Sequence, residues 1–354
     1  MGLLNTASLA AGRARYSAAQ TLRAAWYGAQ YAAARRRSAG FQRPGEPAFE
    51  PENGTPKLAE LRNAYFELFR MDRANIEAGL YPPPQDVRLR DLPGAIRSAR
   101  AFQSDVSEVD RRRLKRSGVE VRDAADPEKF PTYYRQNFHY QTDGWLSDES
   151  AALYDTQVES LFTGAADAMR RIALGHIAEA LQGKDQRRTR HLDLACGTGR
   201  FLAQTLRAFP RLQATGLDLS PNYAAAARQA LSAWPHVDVI EGQAEAAPLP
   251  DASFDTIVSI YLFHELPPKI RPQVISEVSR LLKPGGVFIF ADSLQFGDRE
   301  GLDGILEYFP EGFHEPYYKG YLTYDFAPVM ADSGLTLEKT DIAFLTKVAS
   351  WRKA

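Results

Sequence analysis

Apolar and polar positions change rhythm along this chain. Leu58, Leu61, Tyr65, Phe69 and Ile76 recur at near-helical spacing until Gly79 and Pro82–Pro84 interrupt them, and Thr55 followed by Pro56 predicts the helix start. A second helical stretch is predicted over about 94–116. From 147 to 183 the period is again helical, with Leu153, Val158, Leu161, Met169, Ile172, Ile177 and Leu181 on apolar faces and a break near Gly164. Beyond that point short apolar runs alternate with helical stretches. Strands are expected at 191–195, 214–217, 237–240, 254–260 and 287–291, with helices from Arg200, from Pro221 and over 269–282. Such alternation predicts a parallel sheet covered by helices on both faces. The closing runs 335–341 and 344–351 predict a hairpin, which adds an antiparallel edge.

Three segments follow from this pattern: 1–45, a helical extension over 46–146, and an α/β domain over 147–354. Residues 41–56 are rich in Pro, Gly and Glu and are expected to form a linker. Charge sharpens the division, because residues 1–45 hold seven arginines and no Asp or Glu, whereas the rest holds 36 basic against 44 acidic side chains. Three readings of that basic opening stand: a helix packed on the body, an amphipathic helix at a membrane surface, or an organelle transit segment. In the first, Tyr16, Leu22, Trp26, Tyr27 and Tyr31 would share an apolar face. The acidic remainder argues against broad nucleic-acid binding. No run approaches the roughly 18 apolar residues of a membrane span, and no secretion signal is apparent, so a cytoplasmic location, with or without membrane contact, is expected. Cys196 is the single cysteine, so no internal disulfide forms, and no Cys/His spacing predicts a metal. Oligomeric state leaves no mark.

The densest chemical signal is LDLACGTG at 192–199, an apolar strand running into a tight turn and then a helix. Gly197 and Gly199 remove side chains where backbone must approach a ligand and where positive φ is expected, and the following helix offers unpaired N–H groups. A dinucleotide fingerprint is excluded, since Ala195 stands at its first glycine in one register and Leu202 at its third in the other. A Gly-Lys-Ser/Thr phosphate loop is absent too. Asp218 ends the second strand in GLDLS, where a carboxylate can accept both hydroxyls of a ribose. Ser220, adjacent to Pro221, is the better helix cap, which frees Asp218 for that role.

These motifs, with EGQAEAAPLPDASFD at 241–255 and LLKPGG at 281–286, make the segment from about 147 to 354 resemble the class I S-adenosylmethionine-dependent methyltransferases, in particular the ubiquinone/menaquinone C-methyltransferase-like (type 11) group. The resemblance implies a Rossmann-like, doubly wound, mostly parallel seven-stranded sheet with an antiparallel C-terminal hairpin edge. It implies S-adenosyl-L-methionine as cofactor, with its methionine tail over Asp193, Ala195, Cys196, Gly197 and Gly199. The ribose would lie on Asp218, with Leu219, Gln243 and Ala244 around the adenine and Ser259 and Ile260 near the methionine amino group. Gln243 departs from the usual Asp, although its carbonyl can still accept from the adenine. Residues 283–286 are expected to be a structural turn, and Glu245 and Glu265 to face solvent or to cap.

A sulfonium methyl is already electrophilic, so the protein mainly orients and desolvates, and a base is needed only for a protonated acceptor. His264, past the fourth strand, is the candidate base; a packed loop histidine is the competing reading. Two aromatic-rich segments, 131–145 and 308–321, flank the domain as a candidate lid and acceptor cap, with Tyr133, His139, Tyr140, Tyr261, His314 and Tyr317 as candidate acceptor contacts. Core packing is their alternative role. A small or lipid-like acceptor of quinone or phenolic type is expected. A protein acceptor and a non-catalytic cofactor-binding module remain as other readings.

Overall fold

The structure is a computed structural model that describes residues 2–38, 45–85 and 92–354; the expected linker residues 41–44 lie outside these. Among the described residues one seven-stranded sheet forms from β1 (Arg190–Leu194), β2 (Gln213–Asp218), β3 (Asp238–Glu241), β4 (Phe254–Ile260), β5 (Leu282–Ser293), β6 (Leu335–Ala343) and β7 (Thr346–Lys353). Its order is β3-β2-β1-β4-β5-β7-β6. The first five strands run parallel, and β7 enters antiparallel against β5, with Val287 opposite Arg352 and Ser293 opposite Thr346. β6 closes the edge as the second arm of the hairpin. Strands β1, β4 and β5 are almost wholly buried because both faces are covered, and even polar residues within them, His191, Asp193, Thr256 and Ser259, are buried.

The elements that bear on the site follow from local signals. Ser147 caps α5 (Asp148–Leu161) by accepting from Ser150 N–H. Gly164, at φ +81°, turns the chain before α6 (Ala166–Ala180). Ser220 caps α8 (Pro221–Ala230) by accepting from Tyr223 N–H, as its place before a proline predicts. α7 (Arg200–Ala208) and α9 (Arg271–Leu281) complete the helical layers. After β5, residues 303–332 fold into α10 (Asp303–Gly312), α11 (Tyr318–Leu322) and α12 (Phe326–Asp332).

The extension contributes α1 (Gly2–Arg37), α2 (Leu58–Glu77), α3 (Leu92–Lys115) and α4 (Val121–Ala124). Thr55 does not cap α2: the preceding backbone runs extended through Lys57, which takes the capping position without a side-chain bond. α1 packs against α5 and α3, and α2 against α6. Tyr16, Gln20 and Arg23, one helical face, are buried, while Leu22 and Tyr31 face solvent. The expected common apolar face is therefore wrong, because polar bonds choose the inward side. Tyr16 donates to Asp72 Oδ2 at 2.6 Å, and Arg171 Nη2 donates to the same oxygen at 2.6 Å. Arg23 reaches Asp167 at 2.8 Å, and Asp167 also takes Arg200 at 2.6 Å. A buried charge network thus ties α1, through α6, to the first residue of α7. Among the described residues no helix is long and apolar enough to cross a membrane.

Candidate functional site

The sheet order reverses between β1 and β4, and open α/β sheets bind ligands outside the carboxyl ends of the strands at such a point. A cleft opens there. Its floor includes Ala195, Gly197, Asp218, Leu219, Gly242, Ala244 and Ile260, residues that follow β1, β2, β3 and β4 in turn.

The turn after β1 is built from positive φ at three alternate residues, +62° at Ala195, +56° at Gly197 and +74° at Gly199. The sequence points to the two glycines but not to Ala195, which bears a Cβ in the same left-handed region. Gly199 is needed for packing, since a Cβ there would meet Ala227 at 3.1 Å; it does not line the cleft. Gly197 does, and its Cβ would project toward the Tyr223 ring. Two bonds fix the turn to β2: Cys196 N–H donates to Leu217 O at 2.9 Å, and Gly197 N–H to Asp218 Oδ2 at 2.8 Å. Asp218 Oδ1 accepts Ser220 N–H at 2.9 Å. Each oxygen keeps a lone pair for a further donor. Burial pushes the carboxyl up to about 6, against the pull of the Ser220, Gly197 and Leu219 N–H groups.

Cys196 points away from the cleft, with Sγ against the position where a side chain on Gly216 would sit. Burial raises its thiol well above the ordinary value, so it is an inert packing group. Asp193 is buried with both carboxylate oxygens unpartnered, and Ser259 Oγ is unpartnered on the neighbouring strand. Burial, then the Asp218 charge, lifts Asp193 to about 8. Buried polar atoms without partners at the carboxyl ends of two central strands are what a polar ligand tail would satisfy. Together with the Gly197 turn and the two-oxygen acceptor at Asp218, they fit an adenosyl amino acid. Gln243 is half-buried and outside the lining, whereas its neighbours Gly242 and Ala244 are in it.

The roof is aromatic. Tyr133, Tyr134, Phe138 and Trp145 from segment 131–145 line the cleft with Tyr154 of α5 and Tyr223 of α8. Phe138 stacks on Trp145 at 5.9 Å, and Trp145 meets Tyr154 and Tyr223 edge-on at 5.3 and 5.6 Å. Tyr223 OH and Ser150 Oγ bond at 2.9 Å, and Tyr133 OH donates to Glu245 at 2.6 Å. Glu245 is half-buried through that bond rather than free in solvent. Tyr261, after β4, also lines the cleft.

Segment 308–321 does not. His314 bonds Gln136 Oε1 at 2.9 Å and its ring lies against Tyr140, while Tyr317 OH accepts from Gln136 Nε2 at 2.9 Å. Tyr140, His314 and Tyr317 therefore join segment 131–145 to α10–α11 and stand outside the cleft lining, because Gln136 draws the polar tips of His314 and Tyr317 together and the Tyr140 ring lies against His314. His264 is also outside it. Its Nδ1 lies 2.6 Å from Asp292 Oδ1, with the Tyr261, Tyr318 and Tyr321 rings around it. Burial opposes the charged ring, but Asp292 outweighs burial and the pKa rises to about 9. A protonated, carboxylate-bound imidazole is the wrong form for a base at neutral pH. Its neighbour Glu265, expected to be solvent-facing, is the group that enters the cleft, with burial raising its carboxyl. The lining tyrosines 134, 154 and 223 had no signal in the sequence beyond lying in helical or aromatic-rich segments.

Residues 192–286 match the family model described as a methyltransferase domain. The chain carries a class I S-adenosylmethionine-dependent methyltransferase domain. Over 40% of its length it is 34% identical to the demethylmenaquinone methyltransferase of Chlorobaculum tepidum, of which it covers 55%. It is 34% identical over 29% of its length to a probable phthiotriol/phenolphthiotriol dimycocerosates methyltransferase of Mycobacterium ulcerans, of which it covers 39%. The chain thus spans about half or less of these relatives' length. The crystal structure of the CurJ carbon methyltransferase aligns over 96% of this chain and 93% of its own at 17% identity, with a TM-score of 0.48. S-adenosylmethionine is the methyltransferase domain's cofactor.

Proposed function

We propose that the protein transfers a methyl group from S-adenosylmethionine to a small or lipid-like acceptor of quinone or phenolic type, held under the aromatic roof. The observation that carries this reading is one cleft lined both by Gly197 and Asp218 and by the aromatic side chains Tyr133, Tyr134, Phe138, Trp145 and Tyr154. The bound cofactor supplies an electrophilic methyl carbon. Asp218 accepts the ribose hydroxyls, Leu219, Gly242 and Ala244 border the adenine, and Asp193 and Ser259 answer the polar tail. The aromatic wall holds a flat apolar acceptor and excludes water, which is most of what an in-line displacement requires.

An aromatic roof over the cleft favours a compact apolar acceptor over an extended peptide. The names of the two relatives, one acting on a demethylmenaquinone and one on phthiotriol-type lipids, support the same class. Incubation of the full chain with isotopically labelled cofactor and an organic-soluble cell extract should label a small apolar product. Labelled protein alone, or no label despite tight cofactor binding, would refute the reading.

A further inference from the structure

Three side chains far apart in sequence meet beside the cleft, where Glu265 is part of its wall. His139 sits in a 3-10 turn (Phe138–Tyr140), Glu265 in another (Phe263–Glu265), and Glu315 in the connection between α10 and α11. His139 Nε2 lies 2.8 Å from Glu315 Oε1 and 3.8 Å from Glu265 Oε1, and one donor atom from each residue falls within 4.8 Å of the others. We propose that His139, Glu265 and Glu315 bind one divalent cation of the zinc or manganese class beside the cleft.

The donor set is one imidazole nitrogen and two carboxylate oxygens, ligands suited to those ions, which form bonds of about 2.0–2.2 Å to them. Ligands at that range lie roughly 3 to 3.5 Å apart, so only small side-chain shifts are needed. Independent of the cluster's composition, Glu315 is wholly buried and its Oε2 has no hydrogen-bond partner. A carboxylate oxygen in that state calls for an occupant.

The backbone is shaped to hold the nitrogen in place. His139 and Tyr140 are both left-handed, at φ +56° and +58°, a costly pair for residues with side chains. His139 N–H is fixed to His314 O at 3.2 Å, beside Glu315, and its ring is framed by Trp145, Phe309 and Phe313. Three protein ligands leave a coordination position open, and Glu265 sets the ion beside the cleft. An acceptor oxygen, phenolate or enolate, can take that position. This role rests on the reading of the cleft given above, but the binding of the ion does not.

Chelator-treated full-length protein, free of cofactor, is titrated with Zn²⁺ by calorimetry and with Mn²⁺ by electron paramagnetic resonance. One saturable equivalent is expected, weakened at least tenfold in Glu315→Gln and in His139→Gln, with S-adenosylhomocysteine binding retained as the check on folding. Should either variant fail to fold, X-ray absorption on the zinc-loaded wild type decides: nitrogen and oxygen ligands support the site, and sulfur from Cys196 overturns it. Absence of stoichiometric binding of both ions, or undiminished binding by folded variants, also overturns it. Labelled-product formation is a separate readout, so failure of the metal site and failure of the methyl-transfer reading are distinguishable.

Discussion

The Gly197 N–H donates to Asp218 Oδ2 at 2.8 Å, so the turn after β1 and the end of β2 are one rigid unit with a free face toward the cleft. Gly197→Ala tests how closely a ligand approaches that face. At φ +56° an added Cβ costs about 1–2 kcal/mol, and it projects toward the Tyr223 ring across the space of the cleft. The melting temperature should fall by a few degrees, while cofactor affinity measured by calorimetry should fall by tenfold or more. Equal small effects on both would place the ligand elsewhere.

Asp193 gives a pH prediction. Its folded-state pKa, about 8, lies above the ordinary value of 3.8, so folding favours its protonated form. Stability from this group is full below about pH 4, is lost as pH rises, and is fully lost above about pH 8. Asp193→Asn should therefore remove a downward slope. In thermal melts of cofactor-free protein, the variant should gain on the wild type between pH 5 and 9 and match it near pH 4, while binding the cofactor more weakly. A difference that grows toward acid pH would have the wrong sign.

Arg23 joins the N-terminal helix to Asp167, which also holds Arg200 at the start of α7. Removing one partner from a buried charge network costs about 3–5 kcal/mol. Arg23→Met should destabilise the protein by that order in urea unfolding. An effect below about 1 kcal/mol would mean that α1 is not docked as described.

Trp145 is the tryptophan that lines the cleft, in edge contact with Tyr154 and Tyr223. Cofactor binding should change the intrinsic fluorescence of the wild type and leave Trp145→Phe largely silent. A signal unchanged by the substitution would remove segment 131–145 from the roof.

The sheet was readable because short strand segments alternate with helical stretches along the chain, and because Ser220-Pro221 and Gly197/Gly199 carry local signals of their own. Of the residues expected around the cofactor, Ala195, Gly197, Asp218, Leu219, Ala244 and Ile260 line one cleft, because they lie at or just past strand ends. The cluster beside the cleft was not readable. His139, Glu265 and Glu315 meet only through the packing of the lid on α10–α11, and no spacing announces that. His264 illustrates the limit, since its position after β4 suggested a base, whereas its protonation is decided by Asp292, a residue on another strand. Leu22 and Tyr31 show a further one: on α1, buried ion pairs rather than apolar periodicity chose the inward face.

Calorimetric titration of S-adenosylhomocysteine into the wild type and Asp218→Ala tests the account most directly. Hydrogen bonds to a charged acceptor contribute about 1.5–3 kcal/mol, so one equivalent should bind the wild type and the variant's affinity should fall roughly ten- to a hundredfold or more with its fold retained. Equal affinity in the two proteins, or no binding by well-folded wild type, would contradict it.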